Sequence, residues 1–152
     1  MRRRALLPGL LLLPGLARAQ VPGAGSAPAP QPLPPLPHVA LTRGITLIEP
    51  GAWRVEFPSG SEMLAAPQRI VLGRIGAILQ AGSVGRVTLI SEVGDGSDLS
   101  ATRRLSLARA RAVKAALVAG GLSERRIDIR AMGQAAARRD TVDVLGPLVA
   151  KP

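Results

Sequence analysis

Arginines and a few isolated acids are the residues of this 152-residue sequence that could carry chemistry. Arg109 lies four residues after Leu105 and four before Val113, which places it on the core-facing side of a predicted helix. A charge at such a position needs a partner: a ligand, an internal acid, or solvent reached past the edge of the apolar stripe. Asp95 stands between two glycines in the loop before this helix, where it is either a binding residue or a turn residue.

The rest of the inventory argues against catalysis. His38 is the only histidine and lies in a proline-rich stretch, and the chain has no cysteine. The usual nucleophile–base pairs therefore cannot be assembled from His or Cys. The segment 95–98 lacks the spaced acids and the bidentate Glu of a calcium loop. Gly94-x-Gly96 lacks the third glycine of a dinucleotide fingerprint. We predict a non-enzymatic protein that has no catalytic residues, no metal and no cofactor.

The formal net charge of +10 favours polyanionic partners such as nucleic acid, anionic lipid or acidic cell-wall polymers. Nucleic acid is not predicted as a partner, because one Trp, one Phe and no Tyr leave little to stack on bases. A general polyanion-binding module stays open as an alternative. It predicts that the arginines cluster on one flat face and that binding collapses as salt is added.

The N-terminal region has the pattern of an export signal followed by a tether. Residues 1–19 combine a basic start, a short apolar stretch and Ala17-Arg18-Ala19, which predicts a signal peptide cleaved after Ala19. The alternative is an uncleaved N-terminal anchor. Residues 20–40 are rich in Pro and Ala and predict a flexible linker, and 41–152 are expected to form the folded domain. We therefore expect an exported protein with no membrane-spanning segment in the mature chain.

Hydrophobic periodicity divides the folded part into alternating strands and helices. The loop 91–98 supplies a helix N-cap at Ser97 or Asp98, and Gly120-Gly121 ends the second helix. The predicted elements are a strand at 53–57, a helix from Pro67 to Gly82, a strand at 87–90, a helix at 99–119, and strands at 126–130 and 141–145. This order predicts an α+β fold, a two-layer α/β sandwich with β-α-β-α-β-β order and both helices on one face of a small mixed sheet.

Several segments in this order resemble the domain shared by the outer membrane protein A (OmpA-like) family and the flagellar motor stator proteins, over roughly Trp53 to Val144. The densest match is Leu105–Val113, which fits the pattern Leu-Ser-x-x-Arg-Ala-x-x-Val. The other matching segments are Phe57 with Ser61 and Leu64, Gly121–Ile127, Met132-Gly133-Gln134, and Arg138-Arg139 followed by Thr141–Val144.

The resemblance implies noncovalent binding to peptidoglycan through the diaminopimelate of its peptide stem. It also implies a periplasmic location, associated with the cell wall or outer membrane. In that family an Asp of the loop after the second strand and the Arg of the helix motif make the contacts. The matching positions here are Arg109 and Asp95, with Thr102 where the family has Asn and Arg139 in the closing strand motif. Counting back from Arg109 without gaps puts the family's Asp on Gly94, so Asp95 requires a one-residue adjustment of the loop.

An outer-membrane or other envelope protein is a further candidate partner. The alternative function is therefore an OmpA-like domain that has kept the fold but acts as a protein–protein interaction module in the periplasm. Geometry separates the two functions. Wall binding predicts that Asp95 and Arg109 converge on one open groove, whereas burial of Arg109 against an internal acid removes the main support for wall binding.

Overall fold

A computed structural model describes residues 36–147 of the chain. The predicted signal peptide 1–19, most of the predicted linker 20–40 and residues 148–152 lie outside the described residues. The described elements are β1 (Ile45–Glu49), β2 (Ala52–Glu56), α1 (Ala66–Gly82), β3 (Val87–Val93), α2 (Leu99–Ala119), a short 3-10 turn (Glu124–Arg126), β4 (Ile127–Gln134) and β5 (Thr141–Leu145). No helix among these residues is long and apolar enough to cross a membrane.

The strands form one mixed sheet in the order β1-β2-β5-β3-β4. β5 runs antiparallel to both β2 and β3, and β4 runs parallel to β3. The last strand of the domain therefore lies at the centre of the sheet. Because β2, β3 and β4 point the same way, the loops that follow them leave from the same edge.

Both helices cover one face of this sheet, as the sequence predicts. Alternate residues of the strands, including Trp53, Leu89 and Val142, share a single apolar core with residues of both helices. α1 buries its apolar stripe at Val71, Leu72, Ile75 and Leu79. The core is almost entirely aliphatic, because Trp53 and Phe57 are the chain's only aromatic side chains.

The two helices approach each other closely at glycines. A Cβ added at Gly76 of α1 would overlap the carbonyl of Leu117 in α2, and one added at Gly120 would overlap the carbonyl of Gly73. The helix backbones are therefore in direct contact near the end of α2. This contact fixes the position of α2, and with it the position of Arg109, relative to the sheet.

The predicted boundaries are right for α2 and β5 and too short for β3 and β4. The start of the predicted loop 91–98 was wrong, because β3 continues to Val93 by pairing with β5 on one side and β4 on the other. β4 likewise continues to Gln134. β1 was not predicted. It pairs with β2 at the edge of the sheet and buries only Ile45, so its sequence shows no alternation.

The last residues of the proline-rich stretch contact the folded domain. Leu36 and Val39 are half-buried and pack against the apolar core. The described contacts of the domain therefore begin at residue 36, a few residues before the predicted boundary at 41.

Candidate functional site

Three loops meet at the edge of the sheet where β2, β3 and β4 end. They are residues 57–65 after β2, 94–98 after β3 and 135–140 after β4. We call this region the three-loop end. The loops lie together because β2, β3 and β4 run in the same direction and are close in the sheet. β2 and β3 lie on either side of β5, and β4 lies next to β3. The middle of α2 lies directly beneath them and supplies Arg109.

Arg109 is completely buried and connects the first and third loops to the end of β3. Its Nε donates to the carbonyl of Ser61 at 2.7 Å, and one terminal nitrogen donates to the carbonyl of Pro58 at 3.1 Å. The other terminal nitrogen donates to the carbonyl of Glu92 at 3.3 Å and to a carboxylate oxygen of Asp140 at 2.7 Å. The guanidinium carbon also lies 5.3 Å from the centre of the Phe57 ring. Each nitrogen of the guanidinium is thus occupied by the protein.

Asp140 is the acid that pairs with Arg109. Its Oδ1 also accepts a hydrogen bond from the backbone N–H of Gly94 at 3.2 Å. The carbonyl of Asp140 accepts a hydrogen bond from the N–H of Phe57 at 2.8 Å, which connects the third loop to the first. The side chain is 21% exposed, so this end of the ion pair lies near the surface while Arg109 lies beneath it.

The predicted convergence of Arg109 and Asp95 does not occur. Asp95 is 79% exposed, and its ion-pair partner is the exposed Arg138, at 3.7 Å. The acid that pairs with Arg109 is Asp140 and not Asp95. Asp140 immediately precedes β5, and because β5 pairs with β3, this residue lies above Arg109 of α2. Arg109 is therefore buried against an internal acid and lines no open groove, which is the arrangement that removes the main support the sequence offered for wall binding.

Thr102 and Asp95 do share a cleft of about 290 Å³ at the start of α2. Thr102 is buried, and its hydroxyl donates to the carbonyl of Leu99 at 3.0 Å. Asp98 is the predicted N-cap: its carboxylate accepts hydrogen bonds from the N–H groups of Ser100 and Ala101. These two hydrogen bonds, that from Ala101 having the larger effect and that from Ser100 the smaller, lower the pKa of the Asp98 carboxyl below its usual value.

Arg139 lies in a different cleft, of about 460 Å³, that is also lined by Arg54, Glu56 and Asp140. The four predicted site residues are therefore divided. Asp95 and Thr102 line one cleft, Arg139 lines another, and Arg109 lies beneath the surface. All four belong to the three-loop end or to the part of α2 under it.

Ser106, from the same helix motif as Arg109, has a structural role. Its hydroxyl donates to the carbonyl of Ser91 at 2.9 Å and accepts from the N–H of Gly133 at 3.2 Å. One side chain of α2 thus joins β3 and β4 at the point where their paired register shifts. Ser106 and Arg109, three residues apart, attach one face of α2 to the loops and to the strand ends.

Sequence reasoning missed Asp140. The signal that could have found it is an acid that follows Arg138-Arg139 and immediately precedes a predicted strand. An acid at a strand start on the side of the sheet that carries the helices is a candidate partner for a buried cation. Within residues 36–147 no three acidic or histidine side chains cluster in a way that would hold a metal ion.

Known proteins share this architecture. The chain is similar to the peptidoglycan-associated lipoprotein from Burkholderia pseudomallei, with TM-score 0.54 and 16% identity over 60% of this chain and 87% of that one. It is similar to an outer membrane protein from Borrelia burgdorferi, with TM-score 0.53 and 17% identity over 62% and 84% of the two chains. The C-terminal domain of Helicobacter pylori MotB gives TM-score 0.52 and 15% identity over 62% and 82%.

Identities this low establish the fold alone. No curated protein sequence matches the chain significantly. The profile of the OmpA family matches residues 56–143, which is more than half of the chain and runs from the end of β2 into β5. This range contains both helices and all three loops of the three-loop end. The chain therefore belongs to the OmpA family.

Proposed function

We propose that this protein binds peptidoglycan noncovalently through the three-loop end and recognises the diaminopimelate of the peptide stem. The observation that carries the proposal is the convergence of three loops on the ion pair of Asp140 with Arg109, the arginine of the Leu-Ser-x-x-Arg-Ala helix, with acids and cations on their rim. Membership of the OmpA family supports it. So does the likeness to a protein whose name describes it as peptidoglycan-associated.

The chemistry of the rim suits a zwitterionic ligand. The free end of diaminopimelate carries an ammonium and a carboxylate on the same carbon, so a site for it needs an acid and a cation side by side. Asp95 and Arg138 are exposed on adjacent loops, and Arg139 and Asp140 follow in the third loop. Guanidinium groups suit the carboxylate, because they donate two parallel hydrogen bonds to its two oxygens.

Arg109 has a supporting role in this proposal. Because its nitrogens are occupied by Ser61, Pro58, Glu92 and Asp140, it offers the ligand no free face. It holds the three loops in a fixed arrangement, and the ligand meets the rim that results. Preorganisation of this kind favours affinity, because the loops lose little further freedom on binding.

The complete burial of Arg109 favours one second function. A family member that uses this arginine only to fix its loops could present them to a protein of the cell envelope and leave the cell wall unbound. The alternative is therefore a protein–protein interaction module. It uses the same surface but does not require sacculi.

Export to the periplasm is part of the proposal. Binding to peptidoglycan requires the chain to leave the cytoplasm, and residues 1–19 have the pattern of a signal peptide. The proline-rich stretch would then allow the domain to reach the wall from an anchoring partner at the outer membrane.

The test is cosedimentation of the purified mature chain with isolated sacculi at low and moderate salt. Arg138→Ala and Arg139→Ala remove exposed cations from the rim, and we expect each to weaken binding about fivefold to tenfold. Arg125→Ala is the matched control, because it removes an exposed arginine from the opposite end of the sheet, where β4 begins. Thermal unfolding of each variant checks that the fold is retained.

Wild-type protein that pellets at both salts, with loss only in the rim variants, supports wall binding at the three-loop end. Wild-type protein that does not pellet contradicts the proposal and leaves the interaction module. Pelleting only at low salt, with equal loss in all three variants, indicates nonspecific attraction between a basic protein and an acidic polymer.

A further inference from the structure

The two carboxylate oxygens of Asp140 differ in their hydrogen bonding: one accepts two hydrogen bonds and the other accepts none from the described residues. Oδ1 accepts hydrogen bonds from Arg109 at 2.7 Å and from the N–H of Gly94 at 3.2 Å. Oδ2 accepts no hydrogen bond from any residue between 36 and 147, and the side chain is 21% exposed. A carboxylate oxygen in this position, partly shielded from water, retains the capacity to accept a strong hydrogen bond.

The loop after β3 is shaped to admit this carboxylate. A Cβ at residue 94 would lie 2.8 Å from Oδ2 of Asp140 and 3.0 Å from the carbonyl of Arg138. Only glycine leaves enough room for the backbone of this loop to lie directly against the carboxylate. The lack of a side chain at Gly94 is therefore what allows the Asp140 carboxylate to lie against the backbone of this loop.

The charge of Asp140 is not fully cancelled by Arg109. The guanidinium is shared among the carboxylate and three backbone carbonyls, those of Pro58, Ser61 and Glu92. It also contacts the face of the Phe57 ring. Each of these groups presents partial negative charge to the guanidinium, so Asp140 is one of several groups that share its charge.

We infer that Asp140 is the residue that receives the ammonium group of the ligand, through Oδ2, and that Asp95 is not. This inference rests on the proposed function and names the acid within that site. Asp95 is 79% exposed, and a carboxylate so fully hydrated gains little from an added ion pair. Asp140 is held in one orientation by Arg109 and Gly94, so it binds an ammonium with a smaller loss of side-chain freedom.

The test compares two isosteric substitutions, Asp140→Asn and Asp95→Asn, in the full mature chain. Cosedimentation with diaminopimelate-containing sacculi gives the affinity. Competition by free diaminopimelate and by pimelate, diacids that differ only in two ammonium groups, reports recognition of the ammonium. Wild type should prefer diaminopimelate. We expect Asp140→Asn to lose about tenfold or more in sacculus binding and to lose this preference, and Asp95→Asn to stay within about twofold.

The reverse pattern, with loss in Asp95→Asn alone, would overturn the inference and leave the proposed function standing. Loss in both variants to the same degree would also overturn it, because the inference assigns the ammonium to one acid. Absence of binding by the wild type removes the proposed function and the inference together.

A charge-preserving substitution keeps the inference testable if Asp140→Asn does not fold. Asp140→Glu retains a carboxylate that can pair with Arg109, but the longer side chain moves the second oxygen away from the position of Oδ2. We expect this variant to fold, to weaken sacculus binding about fivefold or more and to lose the preference for diaminopimelate, whereas Asp95→Glu should stay within about twofold. An Asp140→Glu variant that folds and keeps both binding and the preference would contradict the inference.

Discussion

Arg109 is the largest of the fully buried side chains in the described part of the chain. Moving a guanidinium out of water is tolerated only when its donors are satisfied and its charge is paired. Here one acid and three backbone carbonyls accept hydrogen bonds from Arg109, and they come from the first loop, the third loop and the end of β3. Asp140 in turn accepts from the N–H of Gly94 in the middle loop, so the arginine and its acid together hold the three loops in one surface.

Removal of this side chain should be costly. We expect Arg109→Ala to lower the free energy of unfolding by about 3–5 kcal/mol, because it leaves Asp140 unpaired beside empty space. Arg111→Ala, on the exposed side of the same helix, should change it by less than about 0.5 kcal/mol. Urea denaturation followed by circular dichroism measures both. A loss below about 1 kcal/mol for Arg109→Ala would show that the buried network contributes little to the stability of the fold.

At the scale of elements, the contact between the helices depends on glycine. Gly73 and Gly76 both lie in α1, three residues apart, yet they face different surroundings. A Cβ at Gly76 would overlap the backbone of Leu117, whereas one at Gly73 would lie 3.8 Å from the carbonyl of Ala116, an ordinary contact. The same substitution at the two positions should therefore have opposite effects.

Gly76→Ala should destabilise the domain by about 1–3 kcal/mol, because the helices must separate to accept the methyl group. Gly73→Ala should stabilise it by about 0.5–1 kcal/mol, because alanine has the higher helix propensity and meets no overlap. Thermal unfolding of the two variants and the wild type measures the order of stability. Equal destabilisation by both substitutions would show that the helices do not approach each other as described.

Sequence patterns predicted those elements whose signals are local. The start and end of α2 follow from Asp98, which caps it, and from the two glycines at 120 and 121. β1 escaped prediction because an edge strand that buries only Ile45 has no alternation to detect. The extension of β3 to Val93 depends on partners that come 41 or more residues later, at Gln134 and Thr141, and a local pattern does not contain them.

The candidate site shows the same division. The helical spacing around Arg109 predicted that this arginine faces the core, and it does. Its acid could not be chosen in the same way, because Asp140 is 31 residues away in sequence and reaches Arg109 only through the position of β5. Asp95 was nearer in sequence and was the natural choice, yet it lies exposed at the rim.

At the scale of the molecule, the boundary of the domain can be tested by its stability. Leu36 and Val39 lie within the predicted linker but pack on the core. A chain that begins at residue 36 should be more stable than one that begins at 41 by about 1–2 kcal/mol, from the apolar surface that these two side chains cover. Urea midpoints of the two chains measure the difference. Equal midpoints would place the boundary at 41, as the sequence predicts.

The central position of β5 has a consequence for the time at which the domain folds. Within the sheet, β2 and β3 are joined through β5, which is the last of the described strands to emerge during synthesis. A nascent chain that stops before Thr141 lacks the central strand of its sheet. The hydrogen-bonding edges of β2 and β3 are then unpaired, and the long-range contacts of the core cannot form until β5 has been synthesised. We expect such a chain to stay unfolded until synthesis has passed Leu145, and an unfolded chain is the form that can be threaded through a narrow protein-conducting channel.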